Sequence, residues 1–415
     1  TGRGERAGNS IDVRRQMSSV ALGGSPLATG SQRRTWVRVG QVGLGVVGSL
    51  AATAATTLTA LQVSNRVAVH TIRTVSRLFG GNGPDTAHFV PDDVTATFDL
   101  VHDAEDPDGR LDVFRPTDAP DALPTLVCVH GGGFINGTKD MLDDYLAVVA
   151  SHGFTRVSIE YTKAPEARYP GPVVQLNRAL EFLTRPDVAR IHHIDPDQIV
   201  LFGDSAGAHI AAQAALAITD AGYAASARLP AALRRDQLRG VVLASGALDL
   251  TMAHGLQGGL GGVGEGWYVR TVLSAYIGRR DYDRDPCCEW ASVPHNVTAQ
   301  FPPTFVTTGP WDNLGVHSHS MVAAMRAVGA DVEALFFPQA TTPRAIAHEY
   351  QLDLNTPQAR TAMRRVVAFL RTHTSGPVRA GVSDAWEDSD LAVPLVPAEV
   401  ETAGTTHGIE VPLAS

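Results

Sequence analysis

The chain has 415 residues, 44% of them hydrophobic and 19% charged, with a formal net charge of −9 at pH 7. Such a chain can build a large core, as one long α/β unit or as two domains, and its negative balance argues against nucleic acid as the main partner. Three cysteines, Cys128, Cys287 and Cys288, are too few and too badly placed for a disulfide framework or a zinc site.

The charge is unevenly spread. No Asp or Glu stands between Asp12 and Asp85, whereas eight Arg do, and the last 40 residues hold seven acids against Arg379. Both ends therefore read as something other than the central domain. Residues 1–40 are polar, Arg-rich and without periodicity, the pattern of a disordered basic N-terminus. Residues 41–63 contain Val42 to Val63, 22 residues without a charge, long enough to cross a bilayer of about 30 Å. Three readings stay open for this segment. With Arg33, Arg34 and Arg38 ahead of it, it fits a single-pass anchor that leaves the following domain outside the cytoplasm. It also fits an export signal cleaved near Ala52-Thr53-Ala54, or a cap helix of a cytoplasmic protein.

Residues 64–90 predict a basic amphipathic helix and a linker. Arg66, His70, Arg73 and Arg77 recur on one face, and Ala68, Ile72, Val75 and Phe79 on the other. Such a helix suits an anionic membrane surface. Gly80-Gly81-Asn82-Gly83-Pro84 ends it.

From Val94 the pattern turns strand-like, with Thr95 to Val101 and Leu111 to Phe114 joined through Asp106-Pro107-Asp108-Gly109 as a hairpin. Beyond it, strands and helices alternate, which predicts an α/β fold with a mostly parallel sheet and helices on both faces. Apolar runs at Leu126 to Val129 and Ile199 to Phe202 read as central strands, with Cys128 as a packed side chain. Further strands fall at Thr155 to Glu160, Leu238 to Ala244, Thr304 to Thr308 and Val332 to Phe337. Helices are expected at Lys139 to His152 and Val173 to Leu183, and in a last segment opened by Thr356 as N-cap and Pro357 at N1, with Met363, Val366, Val367 and Leu370 buried. An insertion at about 251–300 is glycine-rich and reads as mobile at its start; Trp267, Tyr268 and Tyr276 follow as pocket or core aromatics. The domain so outlined covers residues 91–375, and 376–415 reads as an acidic disordered tail.

Two motifs carry the chemistry. Gly203-Asp204-Ser205-Ala206-Gly207 follows an apolar strand and leads into an Ala-rich helix, the context in which a G-x-S-x-G elbow lifts a serine hydroxyl above a sheet. His130-Gly131-Gly132-Gly133-Phe134 follows another, and its glycines let backbone N–H groups face a cavity as an oxyanion hole requires. With Tyr161-Thr162-Lys163-Ala164-Pro165-Glu166 between them, the two motifs make Pro124 to Ser375 resemble the hormone-sensitive-lipase-like branch of the α/β-hydrolase superfamily, the bacterial family IV esterases.

A serine needs a base, and the base a carboxylate, in the chain order Ser, acid, His. Asp312 and His348, in loops after the strands ending at Thr308 and Phe337, fill those places; Asp249 and Asp331 are the rival acids, and His209, His317, His319 and His373 the other histidines weighed. The resemblance implies an oxyanion hole of the Gly132, Gly133 and Ala206 N–H groups, a bracing role for His130, an Asp204 that points away from the base, and, as the rival to a membrane surface, a basic helix within 64–90 that packs over the catalytic pocket as a cap. It further implies a serine hydrolase of short to medium acyl esters, small-molecule or lipid, that needs no metal or cofactor. An amidase or deacetylase with the same triad, and a catalytically silent, membrane-tethered interaction protein, are the alternatives. The chain departs from the family pattern at Asp312-Asn313-Leu314, at Ala208, at Thr162-Lys163 and at His348-Glu349-Tyr350, the last next to the base.

Overall fold

A computed structural model describes residues 64–79, 84–119, 122–252 and 262–376. The N-terminal segments up to residue 63, the glycines of 80–83, the start of the insertion at 253–261 and the acidic tail beyond Gly376 lie outside the described residues, and so do the expectations placed on them.

Eight strands form one sheet: β1 Val94–Val101, β2 Arg110–Pro116, β3 Leu123–Val129, β4 Thr155–Ile159, β5 Ile194–Asp204, β6 Leu238–Ala244, β7 Thr304–Thr308 and β8 Val332–Phe336. Their order is β1-β2-β4-β3-β5-β6-β7-β8. β1 and β2 form the hairpin expected from Asp106 to Gly109, and both β1–β2 and β2–β4 are antiparallel. From β4 onwards every pairing is parallel. Helices of eight residues or more are α1 Asn65–Phe79, α2 Asp143–Ala150, α3 Gly171–Leu183, α4 Ala206–Thr219, α5 Gly262–Ile277, α6 Gly315–Ala327 and α7 Pro357–His373.

The strands explain the two cores. Successive side chains of a strand point to opposite faces, and Val127, Val129, Leu201, Val241 and Leu243 join one cluster while Leu126, Cys128, Val200, Phe202, Val242 and Ala244 join the other. The first is covered by α3, α4 and α5. The second is covered by α2 and α7, whose Met363, Val366, Val367 and Leu370 are buried as the spacing requires. β3 has no exposed position, which is why it reads in sequence as an unbroken apolar run. Cys128 sits in that core, and burial pushes its thiol up to about 12, so it stays protonated and inert.

Three local details differ from the expectation. The helix placed at 139–152 is a 3-10 turn, Lys139–Leu142, followed by α2. Lys139 is drawn inward to Asp112, 2.7 Å away, and to Asp140 at 2.8 Å, which holds the first turn apart from the helix. Val75 of α1, expected on the packed face, is 50% exposed, while Ala68 and Val69 are buried. Arg73, expected on the solvated basic face, turns inward: its guanidinium donates to the Ile135 and Ala164 carbonyls at 2.7 and 2.9 Å and meets Glu166 at 2.8 Å. α1 is thus latched onto the loop after β3 and packs beside α5, while Arg66, His70 and Arg77 stay exposed. Among the described residues no helix is long and apolar enough to cross a membrane; Val42 to Val63 was not among those described.

Candidate active site

The serine elbow shows why its two glycines are needed. Ser205 has φ +52°, a left-handed conformation that costs a non-glycine residue of order 1–3 kcal/mol. The turn is so tight that a Cβ on Gly203 would stand 2.3 Å from the Gly207 carbonyl oxygen, and one on Gly207 would stand 2.0 Å from that of Val129. Any side chain there would force β5, α4 and β3 apart. The strain places the Ser205 hydroxyl at the carboxyl end of β5, above the sheet, and puts the Ala206 N–H in the unpaired first turn of α4.

The structure brings the three residues singled out by chain order to one point. His348 Nε2 lies 2.9 Å from Ser205 Oγ, and His348 Nδ1 lies 3.0 and 3.1 Å from the two oxygens of Asp312. The Asp312 carboxylate is nearly sealed off, at 1% exposure, against 39% for the His348 side chain. It also accepts the Leu314 N–H at 2.8 Å and the Thr308 hydroxyl at 2.9 Å. Burial works against the Asp312 charge, but His348 and these donors outweigh it and hold the carboxyl below its ordinary value. The imidazole responds in kind. Burial alone would lower the His348 pKa, yet the hydrogen bond and charge of Asp312, with Glu349 behind them, raise it above its ordinary 6.5.

That direction predicts a pH profile. A base must be neutral to take a serine proton; with His348 in that role, activity should fall as pH drops through its raised value, and the acid limb of kcat/KM should lie above 6.5. In Asp312→Asn the limb should move to lower pH, because the charge that favours the imidazolium is gone. A limb that stays in place would separate His348 from the titration.

The rival residues meet other groups, although Asp249 and His317 also line the cavity over Ser205. Asp249 binds the Thr251 N–H and hydroxyl at 2.9 and 2.6 Å and faces His295 at 3.4 Å. Asp331 is exposed at the start of β8. His209 is buried with Nε2 donating to the Ala291 carbonyl at 2.8 Å, and burial lowers its pKa to about 4. His317 Nδ1 accepts the Asp249 N–H at 3.2 Å. His319 lies 4.3 Å from the Phe336 ring and His373 is 4.5 Å from that of Phe369.

The glycine loop is braced from behind. His130 stacks on Tyr161 at 4.4 Å and contacts Glu160 at 2.9 Å. Burial opposes the Glu160 charge, but His130 and the close Lys163 ammonium pull its pKa down to about 2. Gly132 and Gly133 have φ of +105° and +60°, which only glycine adopts without strain, and both line the cavity together with Ala206. Asp204 is buried, its Oδ2 accepting the Gly131 N–H at 3.1 Å.

The cavity over the serine measures about 460 Å³. One wall is apolar and comes from α1, α5 and the segment after β6, with Ile72, Leu250, Val269, Val272 and Leu273. Of the insertion's aromatics, Tyr268 lines the cavity, while Tyr276 is core and stacks on Phe134 at 3.8 Å; Trp267 is not part of the lining. Sequence reasoning did not single out Ser76, and it held Ile72 only as part of a packed face and Glu349 only as a departure able to reshape the pocket. Ile72 and Ser76 reach the cavity from α1, and Glu349, noted in sequence as a departure, places its carboxyl in the wall beside His348. Glu349 takes φ +56° with its N–H held by the Ser245 hydroxyl at 3.1 Å; no sequence pattern announces that bond. Cys287 and Cys288 are free and lie outside the cavity lining.

A hydroxyl, an imidazole and a carboxylate in line at the carboxyl edge of a parallel sheet are the arrangement that α/β hydrolases use. A family model described as alpha/beta hydrolase fold matches residues 126–342, and the chain belongs to that family, in the branch its motifs resemble. It is similar to esterase LipQ of Mycobacterium tuberculosis, 31% identical over 234 residues, which are 54% of this chain and 52% of that one. The chain thus spans about half the length of this curated relative. Among solved structures it is similar to esterase B of Lactobacillus rhamnosis, with a TM-score of 0.60 and 18% identity, covering 77% of this chain and 97% of the other. It is also similar to a thermostable carboxylesterase from a metagenomic library, with a TM-score of 0.57 and 21% identity over 76% of this chain and 99% of that one. At such identities these two likenesses are likenesses of fold.

Proposed function

We propose that the chain is a serine hydrolase of carboxylic esters with short to medium acyl chains. One observation carries the proposal: a hydroxyl 2.9 Å from His348 Nε2, on a ring whose other nitrogen faces a buried carboxylate, opens into a cavity with an apolar wall. In this reading Ser205 Oγ attacks the ester carbonyl as its proton passes to His348. Asp312 holds the ring in the tautomer that accepts at Nε2 and favours the imidazolium that forms. The negative oxygen of the tetrahedral intermediate is met by the N–H groups of Gly132, Gly133 and Ala206, each such donor being worth about 2.7–4 kcal/mol in the transition state. His348 then protonates the leaving alcohol, and water, activated by the same ring, releases the acid.

The cavity supports the acyl preference. A space of about 460 Å³ is at the small end of the range for ligand pockets, and Leu250, Val272 and Leu273 of its wall are apolar and packed into the body of the protein. With p-nitrophenyl esters from two to sixteen acyl carbons, turnover by the full chain should peak among the short to medium members and fall for the longest. A peak at sixteen carbons would contradict the acyl preference. Turnover of an anilide series with none of any ester would replace the esterase reading by an amidase one.

A further inference from the structure

Next to the triad lies a pair of carboxyl groups that the mechanism above does not use. Asp204, the residue before the nucleophile, is 1% exposed. Its Oδ2 accepts the Gly131 N–H at 3.1 Å, and its Oδ1 is buried without a hydrogen-bond partner among the described residues. Glu349, the residue after the base, brings its Oε1 to the same place. A Cβ built on Gly131 would stand 2.5 Å from Asp204 Oδ2 and 2.7 Å from Glu349 Oε1. The two carboxyl oxygens flank the same point, one of them out of contact with water, and like charges so placed oppose each other.

We propose that Asp204 and Glu349 hold one proton between them and act as a positioning pair, tying the serine elbow and the first glycine of the oxyanion loop to the histidine loop. The pair spans three segments that chemistry needs in register: Asp204 is bonded to Gly131 and joined to Ser205, and Glu349 is joined to His348. The charge left on the pair also has a use. Glu349 Oε1 lies 3.7 Å from His348 Nε2, the atom that receives the serine proton, and so favours the imidazolium from the side opposite Asp312.

The surroundings agree. Burial and the neighbouring Glu349 push the Asp204 carboxyl well above its ordinary value. The other titratable groups facing the pair are Tyr145 from α2, Cys128 from β3, Tyr161 after β4, Tyr268 from α5 and His348. Burial raises the tyrosines and the thiol and so favours their neutral forms, and His348 is the group among these whose charge changes during turnover in the proposed mechanism. When the shared proton leaves at high pH, two negative charges face each other across Gly131, and the loop and the base lose their common anchor.

The proposal rests on Ser205 and His348 as nucleophile and base, but part of its test needs no turnover. In the infrared spectrum of the full chain at neutral pH, a carboxylic-acid carbonyl band from a solvent-shielded group should be present in the native protein and missing in Asp204→Asn. The second readout is kinetic. Native kcat should fall at alkaline pH as the proton is lost, and Asp204→Asn should lose that alkaline fall, because the amide can donate to Glu349 and accept from Gly131 without a titrating proton. Glu349→Leu, similar in size but unable to hold a proton, should lower kcat by about 10²-fold, as expected for a misplaced reacting group, with KM changed far less. Should Glu349→Leu not fold, the Asp204→Asn profile decides. No shielded acid band in the native protein, or an alkaline fall that Asp204→Asn leaves in place, overturns the pair. A native protein that shows the band but hydrolyses no ester overturns the esterase reading and leaves the pair standing.

Discussion

Replacing Ser205 by Ala should cut ester turnover by about 10⁶-fold, the scale seen when the serine of such a triad is removed, and leave the fold intact. The second half of that expectation comes from the structure. Alanine keeps the Cβ already accommodated at Ser205, and the atom removed is a hydroxyl whose bond goes to His348 in the open cavity. Nothing in the sheet depends on it. Thermal unfolding of Ser205→Ala should therefore match that of the native chain, or exceed it slightly as the crowded elbow relaxes. Turnover retained within a factor of ten would mean that the bond cleavage takes place elsewhere.

Asp312→Asn should lower kcat by about 10⁴-fold, the cost of leaving the base in the wrong tautomer. Here the geometry argues in more detail. Oδ1 accepts both His348 Nδ1–H and the Leu314 N–H, while Oδ2 accepts the Thr308 hydroxyl and lies 3.1 Å from the same ring. An asparagine with its carbonyl at Oδ1 still accepts the Leu314 N–H, and its amide nitrogen at Oδ2 can donate to the Thr308 hydroxyl, which also accepts; that nitrogen then stands beside His348 Nδ1. The ring must then accept at Nδ1 and carry its proton at Nε2, facing Ser205. The loss should appear in kcat with KM little moved, since Asp312 touches no substrate in this account. A loss below about tenfold would take the orienting role away from Asp312.

How much of this could be read before the structure differs from part to part. The sheet was legible because β3 and the apolar half of β5 are buried on both faces and so appear as unbroken apolar runs, and because Gly203 and Gly207 are demanded by a turn with no room for a Cβ. Asp312 and His348 were legible through chain order and placement after β7 and β8. What the sequence concealed depends on contacts between distant segments. Arg73 recurs with Arg66, His70 and Arg77 at helical spacing and so looks solvated, yet Glu166 and two carbonyls after distant strands draw it inward. That single latch decides which side of α1 faces the cavity, and it brings in Ile72 and Ser76. Tyr276 and Tyr268 stand in one aromatic-rich stretch, but only the helix phase of α5 tells that the first stacks in the core and the second reaches the cavity. Glu349 was visible as a departure from the pattern next to the base. Its partner Asp204 belongs to a motif far earlier in the chain, and only the fold sets the two side by side.

The central claim is that Ser205 is a nucleophile activated by His348. Fluorophosphonate labelling of the full chain, with the modified peptide located by mass spectrometry, tests it most directly, because the reagent bonds to an activated serine whatever the natural substrate. The account predicts one label per chain, on the peptide that carries Ser205, and almost none when His348 is replaced by Ala. No label on the native chain, a label on another serine, or labelling of Ser205 undiminished without His348 would contradict it.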